Sequence, residues 1–197
     1  MFFALLITSV LSSTQAYNTN LSYSVLSECK EYQIDGQYKY RDAFTILDMK
    51  NNKPFENEIF RLKLYVFTKQ DAHILISNEP RVHKGESAYE IVFGGYDNTE
   101  SCIKVHRLGP QVVRKKGEVT SPLYPTEIII ALREDGELSV ILPDFERPYM
   151  VYKDKSARYW TYLLFPLGII MLHVGFMIVH WGMMGHRINV YVLLPKV

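Results

Sequence analysis

The chain carries almost no excess of either charge. Its 22 Lys and Arg balance 21 Asp and Glu, for a formal net charge of +1. A near-neutral chain has no sequence-wide electrostatic drive toward nucleic acid, and none is expected as a partner. There is no G-x-G-x-x-G, so the strand–loop–helix cradle that nucleotide cofactors use is missing. H-E-x-x-H, G-x-S-x-G and C-x-x-C are missing too, which removes the common signatures of zinc hydrolases, serine hydrolases and dithiol redox sites. The only two cysteines, Cys29 and Cys102, cannot by themselves build a common zinc site. No metal, no cofactor and no catalytic residue is therefore expected from motifs alone.

Both ends of the chain differ from its middle. Residues 1–16 start with an apolar run, Phe2 to Ile7, too short to span a bilayer. The run passes into Ser12-Ser13-Thr14-Gln15-Ala16, and the small residues Thr14 and Ala16 suit a signal-peptide cleavage site. No Lys or Arg follows Met1; the alternative is a buried N-terminal strand. A signal peptide predicts a secreted or cell-surface protein matured in an oxidising compartment. There a disulfide between Cys29 and Cys102 competes with two unpaired buried thiols. Asn20-Leu21-Ser22 is a glycosylation sequon at Asn20.

At the other end, residues 160–184 contain no Asp, Glu, Lys or Arg. About 20 apolar residues suffice for a single-pass membrane helix, and Trp160, Tyr162 and Trp181 resemble interfacial anchors. Pro166, His173 and His180 count against a span, and so does the excess of Lys and Arg before the segment rather than after it. In a helix His173 and His180 would share a face, and within a membrane they would be functional candidates. The competing reading is one or two terminal strands of the domain. Residues 185–197 are left as a tail.

Between these ends, residues 17–159 read as one all-β domain. The first part, 17–40, is a polar lead. From Phe60 to Phe67 apolar and polar residues alternate, with Phe60, Leu62, Leu64 and Val66 on one face and Arg61 and Lys63 on the other. Ala72, Ile74 and Ile76 form the next such face, with His73 opposite, and Tyr89, Ile91 and Phe93 another. Alternation resumes through Ile103 and Val105. The run 126–132 is apolar on both faces, as a central strand requires. Asp135-Gly136 then marks a hairpin into 138–142, and 146–152 supplies one more strand. Arg114-Lys115-Lys116 reads as a solvated loop. Prolines punctuate the segment and no 3.6-residue apolar period holds, so the expected fold is an antiparallel sandwich.

The polar residues of the middle supply the candidate site. Asp71, His73, Glu90 and Asn98 sit at strand ends and turns, where carboxylates could tune an imidazole or a polar cluster could hold a ligand. The competing reading is structural, with Asn98 and Gly94-Gly95 shaping a turn and Glu90 paired to Arg61 or Lys63 across strands. No nucleophile accompanies His73, which favours binding over catalysis.

Asp71-Ala72-His73-Ile74-Leu75-Ile76-Ser77, followed by Tyr89-Glu90-Ile91-Val92-Phe93-Gly94-Gly95 and then Asn98-Thr99-Glu100-Ser101-Cys102-Ile103, resembles the farnesoic acid O-methyltransferase domain family of arthropods. The resemblance runs from about residue 60 to 152; Lys104 stands where the family often has Arg, and the chain departs from the family's Trp-rich ending beyond Tyr159. It implies methyl transfer from S-adenosylmethionine to farnesoic acid in juvenile hormone synthesis. A secreted chain would be separated from that cytosolic cofactor, and the family name is taken as a domain label. Residues 71–81 are also similar to galectins at Asn78, Pro80 and Arg81, with Glu79 intervening. That similarity implies a lectin-like jelly-roll sandwich. The expected function is non-catalytic binding of a carbohydrate, lipid or protein ligand, with the methyltransferase as the alternative.

Overall fold

The structure, a computed structural model, describes residues 30–34, 40–154, 162–166 and 188–192. Twelve antiparallel strands in these residues form two six-stranded sheets. One sheet has the order β1 (Lys30–Ile34), β12 (Ile188–Val192), β3 (Glu58–Phe67), β8 (Thr126–Arg133), β9 (Glu137–Ile141) and β10 (Met150–Lys153). The other has the order β2 (Tyr40–Thr45), β11 (Tyr162–Pro166), β4 (Ala72–Ser77), β5 (Ala88–Gly94), β6 (Glu100–Val105) and β7 (Gln111–Lys116).

The alternation seen in sequence sets the sandwich. Phe60, Leu62, Leu64 and Val66 of β3 all face the core, and three of them sit opposite Leu132, Ile130 and Ile128 of β8 in register. From the second sheet come Ile74 and Ile76, then Tyr89, Ile91 and Phe93, and Ile103 and Leu163. Side chains of a strand alternate, so burying these commits His73, Glu90, Cys102 and Lys104 to the outer face of the second sheet. A one-residue slip would exchange the two sets, so burial of large apolar groups, each contributing about 1.5–3 kcal/mol, fixes the register. The Asp135-Gly136 hairpin forms as expected, with Gly136 at φ 82° and its N–H donating to the Arg133 carbonyl.

Three expectations change. Arg114-Lys115-Lys116 is not a loop but the second half of β7, an exposed edge strand of its sheet. Charges on both faces hide its alternation, and Lys and Arg on an edge discourage further strand pairing. Part of the polar lead, 30–34 and residue 40 onward, is strand as well. Residues 162–166 of the proposed membrane span are β11, bonded between β2 and β4 inside the sheet. This is the terminal-strand alternative, continued by β12. Among the described residues no helix is long and apolar enough to cross a membrane. The expected signal peptide, Asn20, Cys29, His173 and His180, and 167–187, lie outside the described residues. Cys102 is a free buried thiol, so the bridge considered with Cys29 is not formed at its Cys102 end.

Candidate functional site

The outer face of the second sheet carries a polar cluster built from neighbouring strands. His73 on β4 pairs in register with Val92, and Glu90 on β5 with Lys104 on β6. This diagonal puts His73 Nδ1 3.5 Å from Glu90 Oε1 and Lys104 Nζ 3.6 Å from Glu90 Oε2. Glu90 has no solvent exposure. A buried carboxylate is tolerable only when hydrogen-bonded and paired. Tyr40 Oη donates to its Oε1 at 2.7 Å, and the Leu108 N–H donates to its Oε2 at 3.2 Å. A bulge makes the first bond: the β2–β11 register skips a residue between Asp42 and Tyr40. Tyr40 thus joins Leu75, Val82 and Ala88 in a small second core on the outer face.

Burial raises the Glu90 pKa above its ordinary value, against the opposing pull of Lys104. Burial and then Lys104 hold His73 down to about 3, so at neutral pH it is an uncharged imidazole. Burial also pushes the Tyr40 and Cys102 groups up, leaving a phenol that donates and a thiol that stays protonated. Replacing Tyr40 by Phe removes the donor and leaves Glu90 Oε1 poorly satisfied. The expected cost is about 2 kcal/mol, read as a shift of the urea midpoint at unchanged slope.

Beside this cluster lies an open basin of about 420 Å³, lined among others by Gln70, Asp71, His73, Tyr96, Asp97, Glu100, Cys102 and Lys104. Its lip is the turn Gly95–Asn98 between β5 and β6. Here three successive side-chain-bearing residues are left-handed: Tyr96 at φ 51°, Asp97 at 58° and Asn98 at 62°. L-residues adopt that region at a cost of roughly 1–2 kcal/mol each, and seldom in series. Asn98 fixes the turn. Its Nδ2 donates to the Thr120 carbonyl at 2.6 Å, and its Oδ1 accepts from the N–H groups of Val119 and Thr120 and from Thr120 Oγ1. Gly94, at φ 64°, must be glycine: a Cβ there would lie 2.4 Å from Thr120 Oγ1.

The four residues singled out in sequence therefore separate. Asp71 and His73 line the basin, Glu90 lies under it against His73, and Asn98 faces away into the Thr120 segment. Glu90 pairs with Lys104, whereas Arg61 bonds Glu58 and Lys63 bonds Glu127. Sequence reasoning missed Gln70, Glu100 and Lys104. The last two could have been found from strand parity alone, since both alternate with Ile103 on β6. Among the described residues no group of three His, Cys, Asp or Glu could hold a metal.

These features define a two-sheet antiparallel β-sandwich with a polar basin on one outer face. The family model described as farnesoic acid O-methyl transferase matches residues 34–180, more than half of the chain, and the chain belongs to that family. The match runs beyond the 60–152 of the quoted motifs and takes in β2 and β11. No curated protein matches the chain. Among solved structures, it is similar to one described as "Cell entry of botulinum neurotoxin type C is dependent upon interaction with two ganglioside molecules". That similarity has 8% identity and a TM-score of 0.35, and covers 88% of this chain and 48% of the other, about half its length.

Proposed function

We propose that this chain is a non-catalytic binding module, secreted or held at the cell surface, whose ligand seat is the basin between β4, β6 and the Gly95–Asn98 turn. The strand order β1-β12-β3-β8 over β2-β11-β4-β5, with added strands β6, β7, β9 and β10, supports a jelly-roll reading of the sandwich, an architecture frequent among lectins. One observation carries the preference for binding over catalysis: the ionisable groups at the seat are held in unreactive states. His73 is neutral beside a fully buried Glu90 that is engaged by Tyr40 and Lys104, and Cys102 stays protonated. A nucleophile with a poised base would look different.

S-adenosylmethionine, which the family's description implies, does not suit these residues. Gly94-Gly95 enters a left-handed turn rather than a helix, and Thr120 and Asn98 occupy the space above Gly94. The apolar run and small residues of 1–16, read as a signal peptide, favour the extracellular placement. The test is isothermal titration of the full-length chain with S-adenosylmethionine, alone and with farnesoic acid. No heat beyond dilution is expected, and saturable binding with methyl transfer would replace this reading by the enzyme.

A further inference from the structure

Two buried oxygens of the basin lack a hydrogen-bond partner among the described residues. Gln70 is 9% exposed, and its Oε1 is paired with nothing. Glu100 is 5% exposed; its Oε2 accepts from Arg114 while its Oε1 is unpaired. Both residues line the basin. Native structures rarely leave such acceptors unsatisfied, and each one asks for a donor. The last torsion of a Gln or Glu turns over a broad range, so each oxygen can swing toward the basin without leaving its site.

Two further features narrow the donor. Tyr96 stands on the lip 69% exposed, held there by a backbone that an L-residue adopts only at a cost. Strain of this kind clusters where a side chain must be presented to a ligand. The charge balance is also informative. The one Lys or Arg in the lining, Lys104, faces Glu90, while Asp71, Asp97 and Glu100 contribute carboxylates. Carboxylates outnumber cations in this lining, which disfavours anions there.

We propose that the basin binds a neutral hexopyranose, its apolar C–H face against the Tyr96 ring and two of its hydroxyls donating to Gln70 and Glu100. The volume, about 420 Å³, is at the small end for small-ligand sites. A sugar ring offers both a flat apolar face and several hydroxyl donors, whereas a farnesyl chain offers no donors and a carboxylate meets like charge. This inference rests on the basin being the ligand seat.

The experiment is amide NMR of the full-length chain titrated separately with methyl glucoside, methyl galactoside, methyl mannoside, sialyllactose, ethanolamine and farnesoate. At least one neutral glycoside should give saturable shifts at residues 70–73 and 95–104. Tyr96→Phe keeps the ring and should bind as the parent does. Tyr96→Gly removes the ring but accepts the left-handed backbone, so it folds, and should bind at least tenfold more weakly. Gln70→Leu should weaken binding severalfold. Unchanged affinity in Tyr96→Gly would overturn the stacking geometry. Saturation at the basin only by sialyllactose, ethanolamine or farnesoate would overturn the sugar assignment and leave the binding seat standing. Shifts elsewhere, or none with any probe, would overturn both.

Discussion

Asn98→Ala should lower the stability of the fold by about 3–5 kcal/mol. Three of the side chain's contacts are to the backbone of Val119 and Thr120, both buried, and the fourth is to Thr120 Oγ1. Alanine leaves two N–H groups and a carbonyl without their partner, at about 1–3 kcal/mol for each group left buried. It also gives up a residue type that accepts the left-handed backbone, adding about 1 kcal/mol. Neighbouring losses are not additive, which places the total below their sum. At about 2–4 °C per kcal/mol for a chain of this size, the melting temperature should fall by roughly 10 °C. Asn98→Gly separates the two parts: it should recover the backbone share and keep the hydrogen-bond loss. A glycine variant as stable as the parent would show that the Thr120 clamp contributes nothing. Because the clamp holds the turn that presents Tyr96 and Asp97, the alanine variant should also lose definition at the basin's lip.

That clamp illustrates what the sequence discloses and what it hides. The central strands are legible because their alternation is clean and one face must be apolar: Phe60 to Val66, Ala72 to Ile76, and Tyr89 to Phe93 all face the core as expected. The edges are not. On β7 only Val113 packs inward while its neighbours are exposed, so the two-residue rhythm has no contrast. The bulge between β2 and β11 breaks the rhythm where Tyr40 turns outward. A strand with apolar residues at successive positions, such as Leu163-Leu164-Phe165, reads the same as the start of a membrane helix, and only pairing with β2 and β4 decides it. For the site, parity puts His73 and Glu90 on the outer face, but register decides that they meet each other and Lys104 rather than Arg61 or Lys63. Asn98 is visible as a turn residue; its partner at Thr120 is 22 positions away and leaves no local trace.

The same cluster should give the fold an acid sensitivity that traces to His73. In the unfolded chain a histidine takes its proton near pH 6.5; in the folded protein burial first, and Lys104 second, delay it to about 3. The folded state resists that proton and the unfolded state does not, so the contribution is complete above about pH 6.5 and drains away as pH falls toward 3. Glu90 is common to the parent and to a His73 variant, so its own titration drops out of a comparison between them. Glu90 has an opposing pH dependence of its own. Its folded pKa is raised, so it binds protons more readily folded than unfolded, and acidification through that window favours the fold. Two pH units below 6.5 the stability lost through His73 is about 2–3 kcal/mol. Denaturant titrations at pH 7.5 and 4.5 should therefore show the parent losing that much more stability than His73→Gln, whose amide cannot titrate. The imidazole carbon shifts of His73 should stay those of the neutral ring down to pH 5. A titration midpoint near 6.5, with equal pH slopes for parent and variant, would mean that the ring is solvated and that the outer face of β4 to β6 is not the dry polar cluster described above.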